Sequence, residues 1–286
     1  LCLFGFCLLA QRPVQKKVTA TPATQKKDTV VKAGKPASKE EPKQKSKVYL
    51  LHSDILKKTL DRSDVQVVVG NVIFRHDSLY MYCDSAYYFD QRNSFEAFGN
   101  VRMEQGDTLF LYGDHLYYDG MTQIAQMRMN VRLENRNTTL LTDSLNYDRV
   151  YSLGYFFDGG TLMDEQNVLT SEWGEYNTQN KQSVFNYNVK LVNPQFTLTS
   201  DTLRYNTASK VANIVGPSDI LSDNNHIYSE SGYYNTQTGK ADLYQRSVLT
   251  NDGKQLTGDT LFYDRNEGVG EAFHDMVMTD TVNKNM

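Results

Sequence analysis

Cysteine, proline, tryptophan and histidine are scarce in this chain: three, six, one and five residues in 286. Cys2 and Cys7 lie in the first ten residues, leaving Cys83 alone in the remainder. That excludes a disulfide framework there and reads as a buried thiol. His52, His76, His115, His226 and His274 show no metal-ligand spacing and read as surface or edge residues. No glycine-rich phosphate loop, nucleophile elbow or zinc helix is present, so neither cofactor nor metal is expected.

The apolar run "LCLFGFCLLA" at 1–10 is too short to span a bilayer. Followed by polar sequence, it fits the remnant of a secretory signal cleaved near Ala10, although Leu8 stands where a small residue is usual. A lipoprotein alternative would use Cys7, but the preceding "FGF" lacks the small residues expected there. Residues 11–47 read as a basic, disordered linker, with eleven Lys/Arg against Asp28, Glu40 and Glu41 and little apolar surface to offset its ordering entropy. Removing those eleven bases and three acids from the chain's 30 and 34 leaves the 48–286 body at −12, which argues against nucleic acid as a partner.

What the chain has in quantity is tyrosine, 19 of them, with abundant Thr, Val, Asn, Asp and Gly. That composition favours strands and turns. The stretch "GDHLYYDG" at 113–120 recurs as "TDSLNYD" at 142–148 and "SDTLRYN" at 200–206. Aligned on the first acid, the series is Asp54, Asp84, Asp114, Asp143, Glu172, Asp201, Glu230 and Asp259, in steps of 30, 30 and then 29. The body is a tandem array. A small residue always precedes the acid, an apolar one stands three before it, and from the second copy on a Tyr stands four after it. A second marker, "GNV" at 70–72 and 99–101, "MNV" at 129–131 and "YNV" at 187–189, falls about half a period away.

Side chains on one strand face recur every second residue, yet the step between the apolar −3 and +2 positions is odd. Both can point into one core only if the chain bends or bulges at the small–acid pair. The Asn-Val marker is expected to open the other strand of each repeat. This gives an all-β, elongated, twisted β-jellyroll or solenoid of about eight 29-residue, two-strand repeats. Its interior apolar columns are Phe74, Leu111, Leu116, Tyr118, Leu133, Leu140, Leu145, Tyr147, Leu191, Leu198, Leu203, Tyr205, Leu256, Leu261 and Tyr263, against outward Ser144 and Arg204. The Tyr rings are expected to reach solvent at their edges. Asp84, Asp114, Asp143, Glu172, Asp201, Glu230 and Asp259 read as structural corner residues that accept hydrogen bonds from turn amides. Acid pairs such as Asp114 and Asp119 recur in several repeats, whereas an enzyme normally has one site, so glycoside cleavage is the lesser alternative.

"GNV", "DTLFLYGDHLYYD" (107–119), "LTDSLNYD" (141–148) and "LTGDTLFYD" (256–264) together resemble the OstA-like family of lipopolysaccharide-transport proteins over about residues 50–280. Two copies depart from its pattern: "SEWGEYN" at 171–177 and "SESGYYN" at 229–235. The resemblance implies a non-enzymatic periplasmic protein, possessing an apolar groove for lipopolysaccharide acyl chains and joining related modules end to end toward the outer membrane. The alternative is a structural or adhesive array with a filled interior, binding protein or glycan through outward Tyr87, Tyr117 and Tyr233. The next acid would fall near position 288, beyond Met286, which suggests a longer product or an edge left open for a partner.

Overall fold

The computed structural model describes residues 46–58 and 64–280. Signal remnant 1–10, with Cys7, and nearly all of the 11–47 linker lie outside the described residues. The chain divides into units 1–43 and 44–286, and every described residue belongs to the second.

That unit is built of antiparallel β-strands, as the composition predicts. In order they are β1 (Tyr49–His52), β2 (Ile55–Lys58), β3 (Gln66–His76), β4 (Leu79–Phe89), β5 (Ser94–Gln105), β6 (Leu109–Asp119), β7 (Ile124–Asn135), β8 (Thr138–Asp148), β9 (Leu153–Phe156), β10 (Gly160–Asp164), β11 (Asn167–Ser171), β12 (Trp173–Asn177), β13 (Gln182–Asn193), β14 (Phe196–Asn206), β15 (Val211–Ser222), β16 (Asn225–Asn235), β17 (Lys240–Asn251), β18 (Lys254–Asp264), β19 (Val269–Phe273) and β20 (Val277–Asp280). Each long strand pairs with its neighbours in the chain. The short strands β1 with β2, β9 with β10, β11 with β12, and β19 with β20 are single rungs broken in the middle.

Each rung bends at its centre. Between β4 and β5 the pairing jumps from Tyr82↔Arg102 to Ser85↔Phe98, three residues on one strand against four on the other. The extra residue is a β-bulge that rotates the inward face, so positions of opposite parity share one core. Asn-Val markers lie at this bend, in the middle of the strand, and do not open a strand as the sequence suggested. The residues just before the Val take positive φ: Gly99 (74°) and Asn100 (44°), Met129 (63°) and Asn130 (54°), Tyr187 (66°) and Asn188 (52°). Left-handed backbone is what Gly and Asn tolerate best. At Gly99 a Cβ would stand 2.5 Å from Asp84 Oδ2.

The two sequence markers meet at this corner. Asn71, Asn100 and Asn130 donate Nδ2–H to Asp54, Asp84 and Asp114 at 2.9, 2.8 and 2.5 Å, and Asn188 does the same to Glu172. Asp143 accepts the Asn130 backbone N–H at 3.3 Å, and Glu230 pairs with Arg246 at 3.5 Å. Asp201 and Asp259 hold the same place in their rungs. The Asp or Asn that follows the Tyr from Tyr118 on serves the turns instead: Asp119, Asp148 and Asp264, and Asn177, Asn206 and Asn235, accept backbone N–H groups of the turns that come after them.

The bend divides the strands into two facing half-sheets. One adjoins the short turns, such as 77–78 and 136–137, the other the longer turns, such as 120–123 and 149–152. The core lies between them. Leu198 and Leu111 enter it from the first half, Leu203 and Leu116 from the second. The departing repeat at 171–177 is repaired locally. Gly174 replaces the usual inward Leu, and the Phe156 ring fills the space, with Cζ 2.5 Å and Cε1 2.7 Å from where a Gly174 Cβ would be.

Candidate functional site

The candidate site is the interior and its closure. Of the fifteen residues expected to line it, all but Leu256 are buried, at 0–3% exposure. Leu256 is half-buried and packs against the others. From Phe74 to Tyr205 such values leave no water-sized space beside these side chains, so there the interior is filled where a hollow groove was expected. Periodicity shows which residues face inward, not how far apart the two faces stand. Tyr118, Tyr147 and Tyr205 are buried to the ring edge, contrary to the expectation that they reach solvent. Ser144, outward by simple alternation, is buried because the bulge falls beside it.

A second column, not recognised in the sequence, makes room for the tyrosines. Opposite Tyr118, Tyr147, Tyr176, Tyr205, Tyr234 and Tyr263 on the next strand stand Ala125, Gly154, Ser183, Ala212, Ala241 and Gly270. In each pair the small residue follows its Tyr by seven positions, which is a legible signal. The first copy breaks it with Phe95, whose ring stacks on Phe74 at 4.1 Å and tilts against Tyr118 at 5.5 Å. Val48, held by the Asn93 side chain at 2.7 Å, completes this aromatic plug at the N-terminal end. Toward the other end the interior opens: a recess of about 290 Å³ is lined by Leu249, Leu256, Tyr263, Gly270 and Met278, among others.

Opposite the corner, the rims of the two half-sheets are joined by polar groups. Lys210 donates to Asp164 Oδ1 at 2.7 Å, Tyr205 to Asp164 Oδ2 at 2.8 Å, and Asn167 to Tyr205 Oη at 3.0 Å. Farther along, Tyr176 donates to Asn135 at 3.1 Å, and Lys181 reaches the same oxygen. Arg149 donates to Tyr118 Oη at 2.8 Å and to Gln105 at 3.4 Å. Arg265 donates to Tyr234 Oη at 2.8 Å and to Gln195 at 2.5 Å. Lys210, Lys181, Arg149 and Arg265 all reach in from the long-turn side, and Asp164, Asn135, Gln105 and Gln195 all receive them near the short turns. Together they form a seam.

Burial sets the proton affinities along it. The Lys210 ammonium is lowered by desolvation, but its hydrogen bonds and charge pairing with Asp164 and Glu165 outweigh this and hold its pKa above the ordinary lysine value. Desolvation, with Arg136 adding repulsion, lowers Lys181. Burial raises the Tyr234 hydroxyl to about 12. His76 is fully buried, with Nδ1 2.6 Å from Tyr118 Oη, and is not the surface or edge residue its sequence context suggested. It continues the inward parity of Phe74 and closes the seam's first bridge.

Desolvation and then the Arg149 charge lower the His76 pKa below its ordinary 6.5. The unfolded chain therefore binds a proton that the folded chain refuses. His76 contributes stability that is complete above pH 6.5 and lost as pH falls through the depressed folded value. Urea midpoints measured between about pH 7.5 and about pH 5 are expected to fall with acid, and the fall to be shallower in His76→Gln.

Among the described residues, no group of His, Cys, Asp and Glu could hold a metal ion, and no helix is long and apolar enough to cross a membrane. Cys83 is buried and free, its thiol raised by burial to about 12.

No curated protein matches the chain significantly. Fifteen chains of solved structures do. One is the crystal structure of LptH, described as the LptA homologous periplasmic component of the conserved lipopolysaccharide transport device from Pseudomonas aeruginosa. It is 15% identical, its match covers 41% of this chain and 96% of that one, and the TM-score is 0.38. The sequence profile of the OstA-like proteins matches residues 45–201 and 197–259. Spanning the larger part of the sequence, that match shows that the chain belongs to the OstA-like protein family.

Proposed function

We propose that this chain is a periplasmic module of lipopolysaccharide transport that receives lipid acyl chains between its half-sheets and passes them toward the outer membrane. The observation that carries this reading is one apolar interior, continuous from Phe74 to Tyr263, in a chain of the OstA-like family. Residues 1–10 act as the export signal, 11–47 as the tether and 48–286 as the transport body. Each methylene taken up gains about 0.8 kcal/mol. No catalytic group is needed.

Because the interior is filled, the lipid enters by parting the seam, while the corner, fixed by its Asn–acid ladder, acts as the hinge. The exposed edges at the two ends carry apolar residues, Tyr49, Leu51, Ile55 and Leu56 on β1 and β2, and Val277 and Met278 on β20. They suit end-to-end addition of a related module by strand pairing.

A second reading draws on the same filled interior: a closed structural or adhesive array that binds through its outer face. Exposed Tyr87, Tyr117 and Tyr233, 37–48% accessible, support it. A photocrosslinker at Leu145, Leu203 or half-buried Leu256, against outward Asn146 and Arg204, separates the two. Lipopolysaccharide labelling confined to the inward set is expected. Equal labelling of both sets, or of the outward set alone, would reject the transport reading.

A further inference from the structure

A cleft of about 950 Å³ lies on the outer surface, where the short-turn half-sheet meets the corner in the first half of the array. Its floor is a cross-strand row, Tyr82↔Arg102↔Tyr112↔Arg132. The Arg102 guanidinium lies 4.4 Å over the Tyr82 ring and Arg132 4.4 Å over Tyr112. Glu104 and Glu134 hold these guanidiniums at 3.2 and 2.9 Å. Asp114, Asp143 and Asp158, all exposed, form the opposite wall.

The fold does not require this row. At the equivalent positions in later rungs stand Leu141, Thr161, Thr170 and Lys190, and they support the same sheet. What the row supplies is a pair of flat ring-and-guanidinium stacks two strands apart, on the order of 10 Å, faced by a line of acceptors.

We propose that this cleft is a binding site for an uncharged oligosaccharide. Sugar rings present flat C–H faces, and their hydroxyls donate and accept together. The cleft meets the faces with its stacks, donates from the guanidiniums and accepts at the carboxylates. An anion is disfavoured, because three carboxylates line the wall and both guanidiniums are already paired with glutamates. A divalent cation is disfavoured because these acids do not converge as a ligand set. The inference does not depend on what the interior carries.

The test applies the full chain to an array of uncharged and anionic oligosaccharides, followed by calorimetric titration of the best uncharged probe. Two variants act on the cleft: Tyr112→Ala removes a stack, and Thr161→Trp fills the space without removing an aromatic or charged group. Tyr228→Ala, in the same row but near the far end, is the control. Binding of an uncharged probe is expected, weakened at least about tenfold by either cleft variant and unchanged by the control. The proposal is overturned if no uncharged probe binds, if either cleft variant binds as well as the parent, or if the control loses as much.

Discussion

Asp164→Ala is expected to destabilise the protein by about 3–5 kcal/mol, among the largest effects of any single substitution in the seam. The Asp164 carboxylate is 1% exposed and accepts from Lys210 and Tyr205, while the Lys210 side chain is 11% exposed. Removing the acid leaves an ammonium and a phenol in a low-dielectric space with only Glu165, Asn167 and neighbouring hydroxyls to meet them. The cost is mostly that stranded charge, and not the worth of the pair, because two ions brought out of water recover in attraction little more than they lose in hydration. Asp164→Leu combined with Lys210→Met should therefore return to near the parent stability. Urea denaturation of both variants checks this. A double replacement as unstable as the single one would mean that the ion pair itself holds the rims together.

Phe156→Ala comes next, at about 3–5 kcal/mol, since a fully buried ring would be replaced by a cavity. Here the sequence also offers a cure. Gly174 stands in the column that elsewhere holds Leu116, Leu145 and Leu203, and Phe156 occupies the space that such a Leu would fill. Gly174→Leu alone overpacks the site and costs at least about 1–3 kcal/mol. Made together, the two changes should recover much of the loss, because the double variant restores the arrangement of the neighbouring repeats. A double-mutant cycle on the urea midpoints measures the coupling. Additive losses would mean that Phe156 and Gly174 do not share one space.

The regular parts of the fold were legible because they repeat. Tyr118, Tyr147 and Tyr205 announced an inward column, and the odd step between Leu111 and Leu116 required a bulge between them. The Asn partners of Asp54, Asp84, Asp114 and Glu172 are visible as well, but each lies 16 or 17 residues away, where its place in the repeat points to the start of a strand. Only left-handed backbone in the middle of a strand brings it back to the acid. The seam was the least legible element. Lys210 and Asp164 are 46 residues apart on different rungs and meet only because the two half-sheets face each other. Nothing in their local sequence marks either as buried. His76 gave a weak signal, a polar residue continuing the parity of Phe74.

The plug of Phe74, Phe95 and Val48 at one end, set against the recess beside Leu256 at the other, gives the filled interior two unlike ends, one sealed by rings and the other indented. An apolar group presented along the axis meets packed rings at the first and finds a seat only at the second. The difference begins at Phe95, which stands where later rungs have Ala, Gly or Ser.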